Sequence, residues 1–272
     1  MTKAARALFA SILWPPLFAL YVGIAAAQSA PRTSYTESVE LAGEAQRVDV
    51  YRPDAESPLG VAIVAHGFTR SRVQHRDLGR ELASAGVIAV IPDLPSVMDL
   101  RTNGDAIAEL ARKLEAGALG LPPVARSRLV LIGTSAGGLA TVLAAAKLPG
   151  VAGWIGLDPV DRTGSGSDAA SQLIAPAVVM LADASACNLF GSGRSIARAA
   201  PHLVRTTVVP GASHCDFEDP TNNFCRVICG VSPPAMQTLI RDETVTTVLE
   251  LLGPGAGIPT NVRTIDTPDA TQ

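Results

Sequence analysis

Ser135 stands in Gly133-Thr134-Ser135-Ala136-Gly137-Gly138, a G-x-S-x-G pentapeptide between the apolar run Arg128–Ile132 and an Ala/Leu-rich stretch. A serine hydroxyl becomes a useful nucleophile only when a neighbouring base takes its proton. A strand turning sharply into a helix through glycines lifts such a hydroxyl clear of a sheet. The same turn aims the first helical N–H groups at a developing oxyanion, which makes Ala136 a candidate donor through its backbone. In a chain of this Gly and Ser content, roughly 0.1 to 0.2 such pentapeptides arise by chance. The strand-to-helix setting is therefore what separates this motif from a glycine-rich structural turn. A second apolar run, Val61–Ala65, ends in His66-Gly67-Phe68, where the loop after an early strand supplies the other oxyanion N–H in such sites. Phe68 is the candidate there, with its ring as a pocket wall, and His66 is expected to be structural.

A base is needed late in the chain. Thr206-Thr-Val-Val-Pro-Gly-Ala-Ser-His214 provides an extended apolar run, a Pro-Gly break and then a histidine. His214 alone among the four histidines has this order and loop position; His75 and His202 read as helix-surface or loop residues. The acid has two strong candidates. Asp158 follows Val151–Leu157, and Asp183 follows Ala177–Ala182, each at the end of an apolar run; Asp161 is a weaker third. Topology alone does not choose between Asp158 and Asp183.

Short apolar runs at Val61–Ala65, Val87–Ile91, Arg128–Ile132, Val151–Leu157, Ala177–Leu181 and Val204–Val209 have the pattern of strands covered on both faces. Helical spacing occupies Asp77–Ala85, Asp105–Ala116, Ala136–Lys147 and Gly193–Ala200, and Pro234–Leu252 closes the chain amphipathically. Ser38–Tyr51 is expected to form an antiparallel pair turned at Gly43-Glu44. This alternation predicts an α/β fold with a doubly wound, mostly parallel sheet. With Gly133–Gly137 set between strand and helix, the chain resembles an α/β-hydrolase fold without a large lid domain. Ligands of such sheets bind beyond the carboxyl ends of the strands, and every candidate residue falls at one of those ends.

At 272 residues, 47% hydrophobic and 17% charged, the chain suits one large globular domain. A net charge of -3 with no basic block after the N-terminus argues against nucleic acid and anionic membrane partners. Lys3 and Arg6 precede an apolar run from Leu8 to Ala26, and Ala25-Ala26-Ala27 suits a signal peptidase. Residues 1–27 are thus expected to be a signal peptide, 28–253 the catalytic domain, and 254–272 a disordered tail. The competing reading of the start is an uncleaved anchor helix, which Pro15-Pro16 disfavours. Cleavage would leave an exported protein, periplasmic or secreted, without stable membrane association. Export also suits the four cysteines, Cys187, Cys215, Cys225 and Cys229, as two disulfides. A Cys187–Cys215 bridge tying two active-site loops, with Cys225–Cys229 as a local loop, is the expected pairing; Cys215–Cys225 with Cys187–Cys229 is the alternative.

From His66 onward the chain resembles plant-type chlorophyllases. The likeness is carried by His66-Gly-Phe68, Gly133–Gly138, Ile155-Gly-Leu-Asp-Pro-Val-Asp161 and Ser213-His-Cys-Asp216, and it is patchy between them. It implies that the acid is the Asp of Asp-Pro-Val, here Asp158. The chain is also similar to bacterial cutinases and polyester hydrolases, whose acid lies one strand later; Leu181-Ala-Asp-Ala-Ser185 matches their fuller pattern poorly. The implied activity is hydrolysis of a hydrophobic or bulky carboxylic ester, small or polymeric, through an acyl-enzyme that needs no metal or organic cofactor. Only the Gly/Ser-rich link Arg162–Ser167 lies between Asp161 and the next strand, so the cleft should be open, with Phe68 and Met180 as apolar walls and the strand residue Trp154 as either a wall or core. The same triad would also serve a peptidase, thioesterase or acyltransferase. An inactive α/β-hydrolase used as a binding module is the rival of a different class.

Overall fold

The computed structural model describes residues 33–253; the expected signal segment 1–27 and tail 254–272 lie outside the described residues. An antiparallel hairpin, β1 (Thr33–Leu41) and β2 (Glu44–Arg52), opens the fold and turns at Ala42-Gly43. There follow β3 (Val61–Ala65), α1 (Arg76–Ser84), β4 (Ile88–Pro92), α2 (Leu100–Glu115), β5 (Leu129–Thr134), α3 (Ala136–Ala146) and β6 (Gly153–Leu157). The chain then forms α4 (Ser165–Ala170), β7 (Ala177–Leu181), α5 (Gly193–Ala199), β8 (Leu203–Val208), α6 (Asn223–Cys229) and α7 (Ala235–Leu252). The eight strands make one sheet in the order β1-β2-β4-β3-β5-β6-β7-β8. β2 pairs antiparallel with both β1 and β4, and β3 through β8 run parallel. The expected doubly wound, mostly parallel α/β sheet is the one observed.

Strand periodicity sorts the core into two layers. Val61, Ile63 and Ala65 of β3 face a layer built with Ile107, Leu110 and Leu114 of α2 and with α3. Ala62 and Val64 face the opposite layer, which Leu78 and Leu82 of α1 and Ile240, Val248 and Leu251 of α7 complete. Both faces are thus covered, which is why these strands are apolar throughout rather than alternating. Trp154 is core: it is wholly buried, and its indole N–H donates to Thr141 Oγ1 at 3.0 Å. Of its two expected places, wall or core, it takes the core and lines neither recess at Ser135.

His75 also departs from expectation. The 3-10 turn Arg72–His75 leads directly into α1 and places His75 on the face that carries Leu78, Gly79 and Leu82, so the ring is 0% exposed. Neither ring nitrogen has a hydrogen-bond partner, and burial pushes its pKa down to about 3. The unfolded chain binds a proton here below the ordinary value of 6.5, whereas the folded chain does not until about pH 3. Stability is therefore expected to fall as pH drops through that window, by up to roughly 1.4 kcal/mol per pH unit from this group. Urea midpoints measured from pH 7 to 4 should show a shallower slope for His75→Leu than for wild type; parallel slopes would contradict this account.

Candidate active site

The β5–α3 turn creates the site's most constrained backbone. Ser135 sits at φ 56° and ψ -122°, a conformation that non-glycine residues adopt only when their surroundings impose it. Its N–H donates to the Leu157 carbonyl, and its own carbonyl accepts from Val160, which fastens the turn to the end of β6. A Cβ at Gly133 would lie 2.2 Å from the Gly137 carbonyl oxygen, and one at Gly137 would lie 2.4 Å from the carbonyls of Ala65 and His66. The two glycines of the pentapeptide are therefore required by close backbone approach as well as by the turn.

His214 bridges Ser135 and Asp158. Its Nδ1 is 2.6 Å from Asp158 Oδ2, and its Nε2 is 2.9 Å from Ser135 Oγ. A carboxylate only accepts, so the proton on neutral His214 belongs on Nδ1, and Nε2 is left to accept from the Ser135 hydroxyl. Asp158 is fully buried at the end of β6 and itself has a positive φ of 42°. Its Oδ1 accepts from Ala182 N at 3.0 Å, and Asn188 Nδ2 donates to Oδ2 at 3.1 Å. Asn188 is completely buried, with its own Oδ1 accepting from Ser185 N and Gly191 N. Nothing in the sequence reading singled out Asn188, and its position in a loop after β7 gives no periodic signal that would.

The other acids have different partners. Asp183 is exposed, and its carboxylate accepts from Gly211 N at 2.8 Å. Asp161 accepts from Ser167 N and Oγ and so holds the start of α4. His66 is buried; its Nε2 accepts from Leu94 N, and burial lowers its pKa. His202 is half-buried in the turn before β8.

The backbone N–H groups of Phe68 and Ala136 have no backbone acceptor among the described residues, which leaves both available to a ligand. Gly67, beside Phe68, is packed against Ser135: a Cβ on it would come 3.1 Å from Ser135 Cβ. The loop carrying Phe68 thus lies over the serine.

Two recesses meet at Ser135. The larger, of 570 Å³, is mostly apolar and includes Val97, Met98, Leu139, Leu143, Val160 and Leu189. The smaller, of 180 Å³, includes His214, Thr69, Arg70, Glu218, Phe224 and Ile228. Phe68 is 52% exposed and borders both. Met180, expected as a wall, is not one: it lies on the α7 side of β7 and is fully buried. Beside Phe68, the walls come from α3, from the loops before α2 and after β6 and β7, and from α6. Among the described residues no large lid intervenes, and the segment between Asp161 and β7 contains the short α4.

The disulfides are Cys187–Cys229 and Cys215–Cys225, which corrects the expected pairing in favour of its alternative. The reason is α6. Asn222 caps it by accepting from Cys225 N, and the helical turn sets Cys225 and Cys229 four residues apart on one face. From there one thiol reaches Cys215, next to His214, and the other reaches Cys187, next to Asn188. A non-reducing tryptic digest should yield peptide 163–194 linked to 227–241, and peptide 206–226 closed on itself. A three-peptide assembly joining 206–226 to both others would signal the rejected pairing.

No protein-family model matches the chain, and no curated protein matches it in sequence. Among solved structures, a dienelactone hydrolase from Anabaena variabilis is similar with a TM-score of 0.63 over 79% of this chain and 95% of that one. The fold is that of the α/β-hydrolases. At 17% sequence identity the likeness carries the α/β-hydrolase fold alone. The finer resemblance to chlorophyllases and cutinase-like enzymes rests on sequence motifs. No helix among the described residues is long and apolar enough to cross a membrane.

Proposed function

We propose that the chain is a serine hydrolase of carboxylic esters, with Ser135 as nucleophile, His214 as base and Asp158 as the acid that orients it. The observation that carries this reading is His214 held between the Ser135 hydroxyl and the Asp158 carboxylate at 2.9 and 2.6 Å. In this reading His214 Nε2 takes the Ser135 proton as Oγ attacks the ester carbonyl. Asp158 stabilises the imidazolium that forms. The Phe68 and Ala136 N–H groups stabilise the tetrahedral oxyanion, each contributing about 3 kcal/mol when such a donor acts in a dry site. His214 then protonates the leaving alcohol, and water, activated by the same histidine, releases the acid. The buried Asn188 and the two disulfides support the geometry by holding Asp158 and His214 from behind.

The test is a matched panel of a p-nitrophenyl ester, the corresponding anilide and a thioester of the same acid. Fast release from the ester with no measurable anilide cleavage is expected. Cleavage of the anilide in preference to the ester would replace this reading with a peptidase. The two disulfides also support export with cleavage before Gln28. Protein recovered from outside the cytoplasm should then begin at Gln28, and retention of the segment around Lys3 would contradict that.

A further inference from the structure

We propose that the two recesses divide an ester unequally, the acid part filling the larger one and the alcohol the smaller, so that the enzyme prefers esters of a large apolar acid with a small alcohol. The inference rests on the ester-hydrolase reading and follows from where His214 faces. In acylation the Ser135 Oγ–carbon bond forms and the carbon–oxygen bond to the alcohol breaks. The proton taken from Ser135 passes from His214 Nε2 to the departing oxygen. The departing oxygen must therefore lie on the side of Ser135 that His214 lines. His214 lines the 180 Å³ recess and not the 570 Å³ one, whereas Ala136, the helical oxyanion donor, borders the larger.

Size agrees with that assignment. At roughly 30 Å³ per water-sized group, the smaller recess takes about six such groups and the larger about nineteen. The smaller recess is lined by Phe68, Phe224 and Ile228 beside the Arg70–Glu218 ion pair and, like the larger, is mostly apolar. Its volume suits a short alcohol up to about the size of glycerol. The larger recess, walled by Val97, Met98, Leu139, Leu143 and Leu189, suits a long alkyl or a fused-ring acid. Phe224 and Ile228 of the small recess belong to the disulfide-anchored α6. Induced widening on the alcohol side is thereby restrained.

Methyl octanoate and heptyl acetate are isomers of matched hydrophobicity that place the long chain on opposite sides of the ester, which makes them the test. An aliquot of each preparation is titrated with a fluorophosphonate, and the rates of the untreated remainder are referred to that count of reactive Ser135. The expected kcat/KM ratio favours methyl octanoate by about tenfold or more, the scale on which apolar pockets discriminate chain length. Val97→Trp, which narrows the larger recess, should lower that ratio, and Ile228→Trp, which narrows the smaller, should raise it. Unlabelled protein from a preparation whose Ser135 titrates, if it hydrolyses both isomers equally or prefers heptyl acetate, overturns the division of the substrate while leaving the ester reading in place. If such protein hydrolyses neither isomer, both are overturned.

Discussion

Ser135→Ala and His214→Ala are each expected to lower kcat for a soluble ester by about a million-fold, and the double variant is expected to lose no more than either alone. The non-additivity follows from the shared proton. With Ser135 gone, His214 has nothing to activate; with His214 gone, Oγ keeps its proton at 2.9 Å from an absent acceptor. In the proposed mechanism the residual rate comes from the Phe68 and Ala136 N–H groups, which neither change touches. Both side chains are half-buried, and circular dichroism of each variant verifies that the fold is kept. A double variant markedly slower than both singles would mean that His214 acts independently of Ser135.

Asp158→Asn is expected to lower kcat by about 10⁴-fold while Asp183→Asn changes it less than about threefold. In wild type, Asp158 fixes the His214 proton on Nδ1 through the 2.6 Å contact. An asparagine there can instead present its amide N–H to that nitrogen, which favours the wrong tautomer and removes the charge that balances the imidazolium. Asp183 sits one strand further on, but its carboxylate is committed to Gly211 N and it is exposed to solvent. Steady-state rates of the two variants, with circular dichroism to verify the fold, decide between them. The reverse order of effects would move the acid to the end of β7 and remove Asp158 from the chemistry.

The sheet was legible because strands covered on both faces leave continuous apolar runs, and five of them end beside candidate residues. Ser135 and His214 could be chosen from type, order and setting. Asp158 and Asp183 could not be separated by the same means, since each follows an apolar run and β6 and β7 are neighbours. What separates them is which carboxylate the His214 loop meets, and that is a long-range property. Met180 was misplaced by a parity of one: β7 alternates Ala177, Val179 and Leu181 to one layer with Met180 to the other. Helix α6 carried no periodic signal because its apolar residues Phe224, Val227 and Ile228 face solvent. Disulfides, rather than a buried stripe, hold it, and so the pairing of the cysteines could not be read without it. His75 was recoverable from its spacing to Leu78 and Leu82, which places it on the buried face of α1.

The reactivity of Ser135 is the most direct test of the account. Wild-type protein exposed to a fluorophosphonate and digested with trypsin should carry one adduct per chain, on peptide 129–147, where Ser135 is the only serine. Prior heat unfolding should abolish the labelling, because the activating contact with His214 is a property of the folded chain. Folded protein that takes no label, or takes it on another peptide, would contradict the claim that Ser135 is an activated nucleophile.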